Sequence, residues 1–198
     1  MRTDEGEGRL HRTALATVSA LLPGIGDAEL ARPTPCAGWD LRALVAHMAG
    51  QNHGFAAALA SGDAPAEEYA PRPLQRAADA LPVWHESVER LLAASGAADP
   101  DRRIRLVEIS RDATFAATAV VRIQLLDTVV HTWDLATALG REYRPGADVL
   151  PLVAAVARAV PDGPSRDRPG AAFAAPVPAA DDDPWVAVLA HLGRRALD

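Results

Sequence analysis

Apolar residues recur along most of this chain at intervals of three and four, the spacing that gathers them onto one side of an α-helix. From Arg9 to Leu22 they fall at Leu10, Ala14, Val18, Leu21 and Leu22, and Pro23-Gly24 closes the segment. A stiff loop comes next, Ala31 to Asp40, with two prolines and a glycine, ending in an aspartate suited to cap the next helix. That helix is expected from Leu41 to about Ala60, with Leu41, Leu44, Val45, Met48, Phe55 and Leu59 turned to a core. The pattern resumes from Pro73 to about Ser95, and Pro82 inside it predicts one kinked helix.

Arg103 to Ile109 reads as a short extended segment, with Ser110 as a cap for the helix after it. The longest periodic stretch runs from about Asp112 to Leu139, with Ala119, Ile123, Leu126, Val130 and Trp133 along one seam and Gly140 as its stop. Val149 to Val160 predicts a further helix, Pro161 to Pro184 a loop rich in Pro, Asp and Gly, and Trp185 to Leu192 a short closing helix. No internal repeat or linker is evident.

Composition sharpens this outline. At 198 residues the chain suffices for one well-buried core, and residues 1–198 are expected to form a single domain. Hydrophobic residues make up 49% but aromatics only 5%, with Ala and Leu dominant, so the expected fold class is all-α. The net charge of -6 argues against a nucleic-acid surface, which needs concentrated positive charge. The single Cys36 excludes an internal disulfide framework and fits a reducing compartment. No run approaches the roughly 18 apolar residues of a membrane span, and the polar Met1–Gly8 stretch does not read as a secretory signal. A soluble, cytoplasmic protein without membrane partners is the expectation.

Polar residues inside the apolar helices are what suggest chemistry. In Leu125–Leu135, Asp127 and His131 stand four residues apart, one above the other on a single helical face. His47 interrupts the Leu41–Gly50 stripe in the same way. Two imidazoles and one carboxylate from two helices make a three-ligand metal site with a coordination position to spare. Gln124, Asp127, His131 and Asp134 form a polar stripe, and Asp134, three residues after His131, is a candidate acceptor for the imidazole's second N–H. Gln51, one turn after His47, is a further candidate for the pocket wall or for solvent. The bland alternative is an intrahelical Asp127–His131 pair worth a few tenths of a kcal/mol. Cys36 has no His or cation near it in sequence and is expected to pack in its loop, while Trp39 and Trp133 read as core anchors. His11, His53, His85 and His191 have no placement that argues for a role.

Three segments carry a family likeness: Pro33-Thr-Pro-Cys-Ala-Gly-Trp-Asp-Leu-Arg-Ala-Leu-Val-Ala-His47, Asp127-Thr-Val-Val-His-Thr-Trp-Asp-Leu-Ala-Thr-Ala-Leu-Gly140, and Leu189-Ala-His-Leu-Gly-Arg194. They resemble actinobacterial metal-binding proteins related to the mycothiol-dependent maleylpyruvate isomerase N-terminal domain, within the DinB-like superfamily. The resemblance implies an antiparallel four-helix bundle with a long crossover, followed by short C-terminal helices. It also implies a divalent metal, typically zinc, on His47, Asp127 and His131, with Asp127 standing where the isomerase carries a glutamate. Asp is one methylene shorter, so the metal must sit closer to that helix or the carboxylate must act through water.

Function enters as an expectation. A low-molecular-weight thiol such as mycothiol would serve as co-substrate, its thiolate adding to a small electrophilic molecule for S-transfer or isomerisation. Gln51, Gln124 and Asp134 would line the pocket or support the ligands. Two other classes stay open here: a metal-binding module without thiol chemistry, and a natural-product enzyme performing a cyclisation or elimination on the same bundle. The expected partner is a small-molecule substrate, with the protein a monomer or homodimer.

Overall fold

Six α-helices organise the computed structural model, which describes residues 2–110, 112–167 and 171–195. They are α1 (Arg2–Leu21), α2 (Leu41–Ser61), α3 (Ala80–Ala97), α4 (Ala117–Ala138), α5 (Leu150–Ala159) and α6 (Pro184–His191). Two three-residue strands, β1 (Arg103–Arg105) and β2 (Thr114–Ala116), pair antiparallel between α3 and α4. The stretch 168–170, within the loop expected between Pro161 and Pro184, lies outside the described residues.

Side-chain pairings fix how the first four helices run. Glu7 meets Arg122, His11 meets Gln124, and Arg141 reaches the Leu21 carbonyl, so α1 and α4 are parallel. Ser19 accepts from the Trp84 indole, while Asp27 accepts from the backbone N–H of Ala77, so α1 and α3 run oppositely. Arg42 reaches the Leu74 and Gln75 carbonyls, Asn52 meets Ser87, and Arg102 reaches the Ala60 carbonyl, which makes α2 and α3 parallel. His47 beside His131, and Asn52 beside Gln124, make α2 and α4 antiparallel. The result is a four-helix bundle in which residues 62–79 must travel back along its length between two parallel helices. This is the long crossover.

Local chemistry explains the boundaries. Asp40 accepts from the Ala43 N–H at 2.8 Å and starts α2, and Gly62, at φ +90°, ends it in a conformation that disfavours a side chain. The expected kink at Pro82 does not occur. Pro82 falls in the first turn of α3, where the helix has no acceptor for its missing N–H, so helix begins beside it rather than bending around it. Residues 114–116 are likewise strand rather than the start of the long helix, because they pair with Arg103–Arg105, a partner no local pattern reveals. Ser110 does not cap that helix but accepts from the N–H groups of Asp112 and Ala113 in a turn. The first helix starts at Arg2, earlier than the apolar stripe implies.

The core has two parts. Leu41, Leu44, Leu59, Trp84, Leu91, Val120 and Leu135 fill the bundle. Leu126, Val129, Val130, Val153, Trp185 and Leu189 bury the outer side of α4 beneath α5 and α6, with Trp133 packed against them as expected of an anchor. Through the bundle core runs a polar thread with one residue from each of its four helices: His11 bonds Gln124, whose amide donates to Asn52 at 2.7 Å, and Asn52 donates to Ser87 at 2.9 Å. Buried groups of this kind are tolerated because each finds a partner.

Candidate metal centre

His47 stands in the second turn of α2, and Asp127 and His131 face it from α4, so the antiparallel pairing brings all three together. Their ligating atoms lie within 4.8 Å of one another. Nε2 of His131 and Oδ1 of Asp127 are 3.4 Å apart, which matches the roughly 3.4 Å edge between two ligands of a tetrahedral zinc with bonds of about 2.1 Å. Two nitrogens and one oxygen are also a donor set that zinc accepts. The residues therefore fit a divalent metal.

A second cluster shares His131. Cys36, His131 and Asp134 also bring their donor atoms within 4.8 Å, but on the opposite side of the imidazole. There the distances are those of hydrogen bonds: Nδ1 of His131 lies 2.9 Å from Asp134 Oδ2, and the Cys36 thiol donates to the same oxygen at 3.1 Å. The guanidinium of Arg194 is bound to Asp134 as well, at 3.0 Å. A cation already in place makes this side a support rather than a metal seat. His131 thus offers Nε2 toward Asp127 while Nδ1 is held from behind.

Charge follows the same division. Burial pushes His47 down to about 4, helped by the positive charges of His131 and Arg194, so it is neutral and ready to ligate. Burial also opposes a charged His131, but the charge and hydrogen bond of Asp127, with the bonds to Asp134 and Cys36, outweigh it and raise this imidazole well above its ordinary value. Asp127 is held below the usual carboxylate range despite its burial, chiefly by His131. Asp134 is depressed for the same reasons, with Arg194 adding to His131.

Of the expected site residues, the structure unites His47, Asp127, His131 and Asp134. Gln51 lies one turn along α2 and donates to Glu108 at 2.8 Å. Burial raises the Glu108 carboxyl, Gln51 lowers it, and the charge of Asp127 raises it further. Gln124 belongs elsewhere: its side chain is spent on His11, Asn52 and Thr128 in the core thread, and it is not part of the metal pocket.

Three residues were not legible as site members. Cys36 packs in its loop against the bundle core as expected, but it also touches Asp134 and lies 3.8 Å from His131 and 3.5 Å from Arg194, groups that are distant in sequence. Arg194 comes from the far end of the chain, beyond α6, and carries no local sign of its role. Trp39 packs half-buried against the bundle core, as expected of an anchor, but its ring centre also lies 4.6 Å from His47 and 6.3 Å from His131, so it forms a wall of the site as well. The only signal in the sequence is that Cys36, Trp39 and Arg194 all fall within the three segments that carry the family likeness.

Comparison with known proteins agrees with this architecture. The sequence profile described as "Mycothiol maleylpyruvate isomerase N-terminal domain" matches residues 11–136, a span that includes every proposed metal ligand. An uncharacterized protein of Mycobacterium tuberculosis, found in two strains, is 30% identical over 189 residues, covering 93% of this chain and 95% of its own. Two crystal structures of the mycothiol-dependent maleylpyruvate isomerase, one of a histidine-to-alanine mutant, superpose with TM-scores of 0.63 and 0.62 at 19% and 17% identity. Each match covers 78% of this chain and 69% of the isomerase, and the shared fold is the DinB-like bundle. Among the described residues no helix is long and apolar enough to cross a membrane.

Proposed function

Because the chain belongs to the mycothiol maleylpyruvate isomerase N-terminal domain family, we propose that it is a divalent-metal-dependent enzyme using a mycothiol-type thiol. Its reaction is S-transfer to, or isomerisation of, a small electrophile. The observation that carries the reading is the convergence of His47, Asp127 and His131, three ligands from two helices with donor atoms inside 4.8 Å. Three protein ligands leave a position for an exogenous group, the arrangement of catalytic rather than structural zinc.

When bound, zinc supplies positive charge that favours a thiolate over a thiol. The chain's own residues do the rest. His47 and Asp127 grip from opposite helices, Asp134 holds the far side of His131, and Trp39 presents an apolar wall that limits water around the incoming sulfur. In the isomerisation, the thiolate sulfur bonds to the β-carbon of an unsaturated carbonyl and the alkene electron pair moves to the carbonyl oxygen. Rotation about the new single bond and expulsion of the thiolate regenerate the alkene in its other geometry. In S-transfer the adduct takes up a proton and leaves.

The experiment is to load purified protein with zinc, add mycothiol with maleylpyruvate or with a generic electrophile, and follow isomer and conjugate by mass spectrometry. Zinc-dependent turnover, abolished by H47A and H131A together with loss of bound metal by elemental analysis, is expected. Unchanged metal stoichiometry in H131A, or turnover equal to the uncatalysed rate in the loaded wild type, defeats the proposal.

A further inference from the structure

Arg194 reaches the metal centre from the far end of the chain, by a tightly constrained route. The chain leaves α6, turns at Gly193 with φ +74°, and passes so close to Ala174 and Ala175 that a Cβ there would fall 2.7–2.8 Å from the Ala174 side chain and the Ala175 carbonyl. That turn sends the guanidinium into the interior, where Arg194 is 8% exposed. Its Nε donates to both oxygens of Asp134 at 3.2 and 3.3 Å, and Nη2 donates to Oδ2 at 3.0 Å. Nη1 donates to the Leu192 carbonyl and Nη2 lies 3.5 Å from the Cys36 sulfur. The Phe173 ring lies under the guanidinium carbon at 5.5 Å.

We propose that Arg194 is a positioning residue of the metal centre: gripping Asp134, it fixes the Nδ1 side of His131 and so aims Nε2 at the cluster with His47 and Asp127. Asp134 is fully buried, and its Oδ2 accepts from His131, Arg194 and Cys36 at once. A carboxylate free to rotate would leave the imidazole without a fixed orientation. A planar fork with two parallel donors removes that freedom, which a lysine's point charge does not. The C-terminal segment is thereby built into the site from sixty residues beyond Asp134. The proposal rests on His47, Asp127 and His131 being metal ligands.

Two readouts test it. In ¹⁵N-labelled protein, with and without zinc, the Nδ1–H of His131 is expected as a downfield, slowly exchanging resonance. In R194M and in R194K this resonance should vanish into exchange while circular dichroism stays helical, and zinc, measured by chelator competition, should be held about 10–100-fold more weakly. Wild-type zinc affinity in R194K would show that charge alone suffices and overturn the positioning role. If R194M does not fold, R194K decides. Absence of the protected resonance from the wild type overturns the proposal without any variant. If the wild type takes up no metal, the proposed function fails, and the resonance in metal-free wild type and variants still decides whether Arg194 orders His131.

Discussion

Oδ1 of Asp127 and Nε2 of His131 lie 3.4 Å apart, one turn apart on α4, with His47 facing them across the bundle. That separation suits either a hydrogen-bonded ion pair or two ligands of one metal. Asp127→Asn distinguishes them, because it keeps shape and hydrogen-bonding capacity but removes the charge. A merely structural pair predicts a clear loss of stability, because the buried His131 loses the partner that sustains its charge, with zinc affinity unchanged. A ligand predicts zinc affinity lower by more than the roughly 100-fold upper range seen for supporting residues. Chelator competition on the two proteins reads the difference directly.

The two histidines should differ in proton release. In the metal-free protein His131 is raised well above its ordinary value, so near neutral pH it carries a proton that metal must displace, whereas His47, pushed down to about 4, carries none. Zinc binding near pH 7 is therefore expected to liberate about one proton per site. Calorimetric titrations in buffers of different ionisation enthalpy measure that number. A value near zero would contradict the pairing of His131 with Asp127, and a value near two would contradict a neutral His47.

Stability of the metal-free protein should respond to the same groups with opposite signs. A histidine lowered on folding takes up more protons when unfolded, so the stability it contributes is present above about pH 6.5 and drains away as the pH falls toward 4. His131 works the other way: its contribution is complete below about pH 6.5 and is lost as the pH rises through its raised value. Urea midpoints between pH 6.5 and 4.5 should therefore fall more steeply for wild type than for His47→Gln. Equal slopes would mean that His47 is not buried neutral.

How much of this is visible in the sequence depends on the range of the interaction. The start of α2 is legible because Asp40 carries its capping chemistry locally, and Asp127 and His131 are legible as a pair because a helix turn brings them together. Pro82 and residues 114–116 mislead. The proline's effect depends on whether the helix has already begun, and the strand depends on a partner eleven residues back. No polar residue marks the start of α4, where Ala116 sits at the cap without a side-chain bond. Cys36 and Arg194 are 158 residues apart in the chain, and only the closed bundle with its docked C-terminal helices makes them neighbours. Gln124 falls on the metal stripe in sequence because periodicity gives a face, not the depth along it.

Gln124 supports a prediction that separates stability from metal binding. Its amide carbonyl and amino group serve His11, Asn52 and Thr128, all buried. Gln124→Leu removes the partner of the His11 Nε2 and the Asn52 Oδ1 in the core, at about 1–3 kcal/mol for each orphaned group. Chemical denaturation should show a loss on the order of 3 kcal/mol, with zinc stoichiometry unchanged. Lost stoichiometry in a folded variant would return Gln124 to the metal site.

The crossover yields the last prediction. Gly54 faces the ring of Tyr69, and a Cβ at that position would overlap the Cγ, Cδ1 and Cε1 edge of that ring; Gly50 is closed in the same way by the carbonyls of Tyr69 and Ala70. By helix propensity alone, Gly54→Ala should stabilise α2 by about 1 kcal/mol. Overlap with a ring that is 3% exposed and also packed edge-on against Phe55 opposes it, and forcing extra volume into a filled core costs about 1–3 kcal/mol or more. The steric effect wins, so G54A is expected to lower the denaturation midpoint. The collision is specific to one partner, which makes it testable by a double-mutant cycle: with Tyr69→Ala already present, adding Gly54→Ala should become neutral or stabilising, a coupling of more than about 1 kcal/mol. Equal effects of G54A in both backgrounds would show that the crossover does not pack on α2 through this glycine.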